Sequence, residues 1–168
     1  MGAYWSHDAD VASPLGRLLS AAKDHRDEVA LDELRRRFVA FVADLELAAD
    51  PLVIAVPPGP DRGAHPVPEL ARAVAEQLGV PVAPVLDRRH DTPRLRDTPI
   101  EERRAVVEAA GYVVTGDVGG RSVVLVDDVV LTETTLAFLA ELLVGAGAGS
   151  VVAVVACRTR LARRPRTT

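Results

Sequence analysis

The stretch Val123-Val124-Leu125-Val126-Asp127-Asp128-Val129-Val130-Leu131-Thr132-Glu133-Thr134-Thr135-Leu136 passes from an unbroken apolar run into two adjacent acids. It then continues through a hydroxyl-rich loop into a helical pattern. A short apolar run of this kind reads as a strand covered on both faces. Free N–H groups at the start of the following helix point at an anion, and threonine hydroxyls add donors. Carboxylates at the carboxyl end of a strand lie where open α/β sheets bind ligands, and acids there suit ribose hydroxyls or a magnesium ion. Physically, the stretch is an anion cradle beside a polyol clamp. Two other strand-plus-acid motifs are excluded. A P-loop nucleotide site needs G-x-x-x-x-G-K-[ST], which the chain lacks. A phospho-receiver wants its acid pair after the first strand and a late lysine, and the sole lysine here is Lys23.

Working outward, apolar and polar runs alternate along the chain. A helix is expected from Pro14, behind the cap residue Ser13, to about His25, and a second from about Ala30 to Ala48. In the second, Arg35, Arg36 and Arg37 read as a solvated face. Asp50-Pro51 breaks it, and Leu52 to Val56 is a buried strand. A Pro-rich loop leads to a helix from Pro68 to Leu78, closed by Gly79. Val80 to Leu86 is read as a second strand, irregular because of Pro81 and Pro84. Residues 87–98 are charged and lack an apolar period, the pattern of a functional loop. A short helix opened by Thr98-Pro99 ends at Gly111. Strands follow at Tyr112–Val114 and Ser122–Val126, then a helix from Thr134 to Val144 and a strand from Ser150 to Ala156. Gly145-Ala146-Gly147-Ala148-Gly149 precedes a strand and so reads as a helix-ending turn instead of a dinucleotide fingerprint. The pattern implies an α/β fold, a mostly parallel central sheet with helices on both faces and two N-terminal helices added. The expected division is 1–50 for an arm and two helices packed on the core, 51–159 for the core, and 160–168 for a flexible tail.

Composition agrees with one domain of 168 residues. Hydrophobic residues are 48% and aromatics only 4%, with 26 Val and 26 Ala, so small and β-branched side chains must build the core. Arginine outnumbers lysine 19 to one, which is read mainly as a compositional bias. A single cysteine, Cys157, excludes an intramolecular disulfide framework and a Cys-rich zinc site, and it is read as a small core residue. No apolar stretch is long enough to span a membrane. The N-terminus lacks the basic start and apolar run of a secretory signal, so the expectation is a cytoplasmic protein. The net charge of −4 argues against nucleic acid as a general partner. His65 and His90 lack metal-ligand spacing and are read as surface residues.

The 123–136 stretch resembles the PRPP-binding signature of type I phosphoribosyltransferases, an apolar strand, Asp-Asp, two apolar residues, then Thr-Thr-Gly-x-Thr. Gly16 to Lys23 followed by an amphipathic helix is similar to the ComF-type competence-protein branch. So are Arg62-Gly63, Leu78-Gly79-Val80-Pro81-Val82, Glu102-Arg103-Arg104 and Gly111-Tyr112. The resemblance covers roughly residues 14–159. It implies that Asp127 and Asp128 hold the ribose hydroxyls as the catalytic acids, with magnesium bound through ribose or water. It implies that Leu131, Thr132, Glu133, Thr134 and Thr135 wrap the 5′-phosphate. Arg62, Arg88 and Arg89 would contact the pyrophosphate. The implied partners are PRPP or a nucleotide, with a homodimer as the candidate assembly. The expected function is binding PRPP or a nucleotide 5′-phosphate and transferring a phosphoribosyl group to a base or amine. The alternative is a catalytically degenerate nucleotide-sensing or protein-interaction module of the same fold. Glu133 stands where the family has its loop glycine, Leu131 stands where it has its first threonine, and the branch's Cys-rich zinc module has no counterpart here.

Overall fold

A computed structural model describes residues 14–24, 27–59 and 65–158. Helix α1 (Pro14–Asp24) and helix α2 (Glu28–Ala43) come first. The Asp27 carboxylate caps α2, accepting from the N–H groups of Val29 at 3.0 Å and Ala30 at 3.1 Å. The sequence pattern extends this helix to Ala48, but it ends at Ala43. Beyond it Leu45 and Leu47, two residues apart, both pack on the core, so unwound chain completes the apolar stripe.

Strand β1 (Leu52–Ala55) leads to α3 (Val67–Leu78), which Gly79 closes at φ 68°. The strand expected at Val80–Leu86 is reduced to one parallel bridge, Val82 to Val53, with the Ala83 N–H donating to the Val53 carbonyl at 2.8 Å. Pro81 and Pro84 have no N–H to give to a ladder, which explains the interruption. Pairing resumes in β2 (Leu86–Arg88), antiparallel to β3 (Tyr112–Val114). Between them lie two 3₁₀ turns, Leu95–Asp97 and Ile100–Glu102, and α4 (Arg103–Ala109). Strand β4 (Ser122–Val130), α5 (Thr134–Gly145) and β5 (Ser150–Arg158) complete the described chain.

The main sheet is parallel, in the order β1-β4-β5, so the strand carrying the acids is central. Strand alternation divides the core. Val53, Val124, Val126 and Val154 face one side and pack with Leu70 and Val74 of α3, Leu34 and Phe38 of α2, and Leu15 and Leu19 of α1. Ile54, Val123, Leu125 and Val155 face the other side and meet Leu136, Leu139 and Leu143 of α5 and Val107 of α4. Helices thus cover both faces, and α1 and α2 share the first core layer with α3. No helix among the described residues is long and apolar enough to cross a membrane.

Candidate functional site

The two strands beside β4 end at different levels, and this difference creates the site. The β1–β4 ladder stops at Ala55↔Val126, with a last bond from the Val56 N–H to the Val126 carbonyl at 2.9 Å. On its other edge, β4 stays paired with β5 as far as Val130↔Arg158. Asp127 and Asp128 therefore stand one step beyond the end of β1. There they line a cleft of about 620 Å³, with Val56, Pro57 and Pro58 as one wall.

The two acids differ. Asp128 is buried and Asp127 is half-buried. Asp127 Oδ1 accepts the Asp128 N–H at 2.9 Å. Burial, and next the neighbouring Asp128 carboxylate, hold the Asp127 carboxyl well above its ordinary range, while the Asp128 N–H and Lys23 oppose that shift. Asp128 Oδ2 forms an ion pair with Lys23 Nζ and lies 3.5 Å from His65 Nε2.

The loop after β4 is divided between the cleft and the outside. Leu131, Thr132 and Thr135 line the cleft; Glu133 and Thr134 do not. Thr132 Oγ1 and Thr134 Oγ1 share a hydrogen bond of 3.1 Å. Glu133 is the N-cap of α5 but makes no side-chain cap bond, so the first-turn N–H groups of α5 stay available to an anion. Its carboxylate is half-exposed and lies 3.6 Å from the Arg158 guanidinium at the end of β5. Its φ of −72° is ordinary right-handed backbone, so this loop shape does not require a glycine.

The arginines separate by strand parity. Arg88 lines the cleft, held by donation from Nη2 to Thr92 Oγ1 at 2.8 Å and from Nε to the His90 carbonyl at 3.1 Å. Its guanidinium also lies 5.7 Å from the Tyr112 ring centroid. Arg89, one residue on, is exposed, does not line the cleft, and packs its Cβ near Gly111. Arg62 lies outside the described residues.

Three groups escape the sequence reading. Lys23 is brought in by α1, where Gly16, Leu19, Ser20 and Lys23 form one face at helical spacing and line the cleft. His65, read as a surface residue, is mostly buried beside Asp128, because the start of α3 abuts the end of β4. Arg94 and Arg96 join Arg88 on the cleft wall. The Lys23 and His65 contacts cross long sequence separations, and no local pattern announces them. Cys157 sits in the core as expected; burial, and next the Asp128 charge, push its thiol up to about 12.

Residues 53–167 match the phosphoribosyl transferase domain family. The chain belongs to that family. This phosphoribosyltransferase domain is also similar to the allosteric regulatory enzyme of purine biosynthesis, with 24% identity over 73% of this chain and 25% of that one at a TM-score of 0.50. A second likeness is to the glutamine phosphoribosylpyrophosphate amidotransferase of B. subtilis, solved with ADP and GMP. There identity is 22% over 76% of this chain and 26% of that one, at a TM-score of 0.53. The phosphoribosyltransferase domain thus spans about a quarter of the length of either enzyme, and both likenesses speak to the fold. No curated protein matches the chain significantly.

Proposed function

We propose that the protein binds PRPP or a nucleotide 5′-phosphate, with the ribose on Asp127 and Asp128 and the 5′-phosphate in the loop from Leu131 to Thr135. The observation that carries this reading is convergence: the acids, Thr132 and Thr135 on either side of the start of α5, Lys23 and Arg88 all open on one cleft. The reaction is transfer of the phosphoribosyl group to a base or amine. Its transition state is oxocarbenium-like, so positioning and charge neutralisation supply most of the catalysis. Arg88 is already held in place and neutralises a departing pyrophosphate; Arg94 and Arg96 add to that field. Arg89 contributes only if the loop after β2 moves. The reading places the chain in the ComF-type branch, on the strength of stretches such as Gly16–Lys23, and in the cytoplasm, with a homodimer as the assembly.

Magnesium accompanies PRPP in the resemblance. Carboxylate oxygens are the right donor class for it. The acid pair as built does not fit a resident ion, however. Asp128 Oδ2 is taken by Lys23, Asp127 Oδ1 accepts the Asp128 N–H, and the Asp127 carboxyl is held towards its neutral form. No group of three His, Cys, Asp or Glu residues among the described residues could hold a metal.

Glu133 favours a second reading, a sensing module that binds without turnover, because an added carboxylate beside the phosphate loop opposes anion binding. Titration calorimetry with PRPP and magnesium tests both. Absence of heat at millimolar ligand sinks the binding reading. Binding that disappears in Asp127→Asn supports it. Pyrophosphate release with a panel of bases then separates transfer from sensing.

A further inference from the structure

The cation facing the acid pair belongs to the chain itself. Lys23 is its only lysine, and α1 delivers it from the far side of the cleft onto an Asp128 side chain that is only 3% exposed. Removing one partner from such a buried pair strands a charge away from water, so the contact persists when the cleft is otherwise empty. The pairing does not consume the acids. Lys23 takes Asp128 Oδ2 and the Asp128 N–H donates to Asp127 Oδ1, so each acid has one oxygen engaged by the chain itself. Two neighbouring carboxyl groups match the two hydroxyls of a ribose diol, each of which can both donate and accept. The fixed charge of the cleft points the same way. Among its described lining residues are four permanent cations, Lys23, Arg88, Arg94 and Arg96, against two acids, Asp127 and Asp128. A phosphorylated ligand therefore meets a positive field without an added ion.

We propose that Lys23 is a ligand-positioning residue that supplies the positive charge a divalent cation would otherwise bring to the acid pair, so that a phosphorylated ribose binds here without metal. The proposal rests on the functional reading above. It predicts that α1 is part of the ligand site. Magnesium chelated by a diphosphate travels with that ligand as substrate and is not needed to neutralise Asp128.

Ribose 5-phosphate is the probe that isolates the acid pair, because it carries the diol and the 5′-phosphate but no diphosphate. Its affinity for the whole protein is measured by calorimetry in excess EDTA and in millimolar magnesium, for the unaltered chain, Lys23→Arg and Lys23→Met. The unaltered chain should bind within about twofold in the two buffers. Lys23→Met should lose about tenfold in EDTA, roughly the weight of one charge-assisted contact, and magnesium should restore part of that loss. Lys23→Arg should stay close to the unaltered chain. A parallel melt reads the site without ligand: magnesium should raise the Tm of Lys23→Met and leave that of the unaltered chain unchanged. Tight binding by the unaltered chain only in magnesium overturns the proposal and leaves the functional reading intact. So does an unchanged affinity of Lys23→Met in EDTA. Failure to bind in either buffer overturns both. The EDTA comparison on the unaltered chain is decisive even where Lys23→Met does not fold.

Discussion

Replacing Phe38 with alanine asks whether the N-terminal helices belong to the same cooperative unit as the sheet. Phe38 is fully buried on α2 and joins the layer shared by Leu15, Leu34, Leu70 and Val154. A phenylalanine side chain buries on the order of 150 Å² or more, and at about 25 cal/mol per Å² that is roughly 4 kcal/mol. Alanine keeps about a quarter of this, and the cavity left behind adds about 1 kcal/mol, for a net loss of about 3–5 kcal/mol. Of a total stability of about 5–15 kcal/mol, such a loss is large, and it corresponds to a fall in Tm of roughly 10 °C. Urea unfolding followed by circular dichroism should show one transition moved to lower denaturant with its slope unchanged. A loss below about 1 kcal/mol, or two separate transitions, would show that α1 and α2 ride on the core without being part of it. The geometry that brings Lys23 to Asp128 would then have no rigid support.

Other expectations concern charge and the thiol. The raised Asp127 pKa makes a contribution to stability that is complete below about pH 4 and is lost as pH climbs towards about 8. Asp127→Asn lacks that dependence, so its stability relative to the unaltered chain should rise across this window in urea titrations; a flat difference refutes the shift. The Glu133–Arg158 pair is half-exposed on both sides, so Glu133→Gln should change stability by less than about 0.5 kcal/mol while tightening ribose 5-phosphate binding in calorimetry. Weaker binding would mean that the carboxylate helps to shape the loop. Cys157 should resist maleimide at pH 8 in the native protein and react promptly in urea, since burial keeps its thiol protonated. Rapid native labelling, read by mass spectrometry, would show that the β5 end opens.

The parts of this molecule legible in sequence are those set by local periodicity. The apolar run at 123–126, the acids after it and the helix from Thr134 form one continuous signal, and the fold reading follows from it. Cys157 and the turn after α5 also behave as their local context indicates. The limits lie where a neighbour decides. Val80 to Leu86 is apolar enough for a strand, yet its two prolines leave a single bridge. Arg88 and Arg89 are equivalent in sequence; pairing with β3 turns only the first towards the cleft. Lys23 is a solitary lysine on a short helix, and His65 has no ligand spacing. Their value comes from tertiary contact with Asp128, which sequence separation conceals.

Because the chain contains one side-chain ε-amine, amine chemistry becomes a local spectroscope of the cleft. Reductive methylation with ¹³C formaldehyde would place a reporter on Lys23 and on no other side chain, so a single ε-methyl resonance would follow the acid pair through ligand addition. Acetylation has the opposite use. One small modification would cancel the ammonium and leave the Asp128 carboxylate buried without its cation.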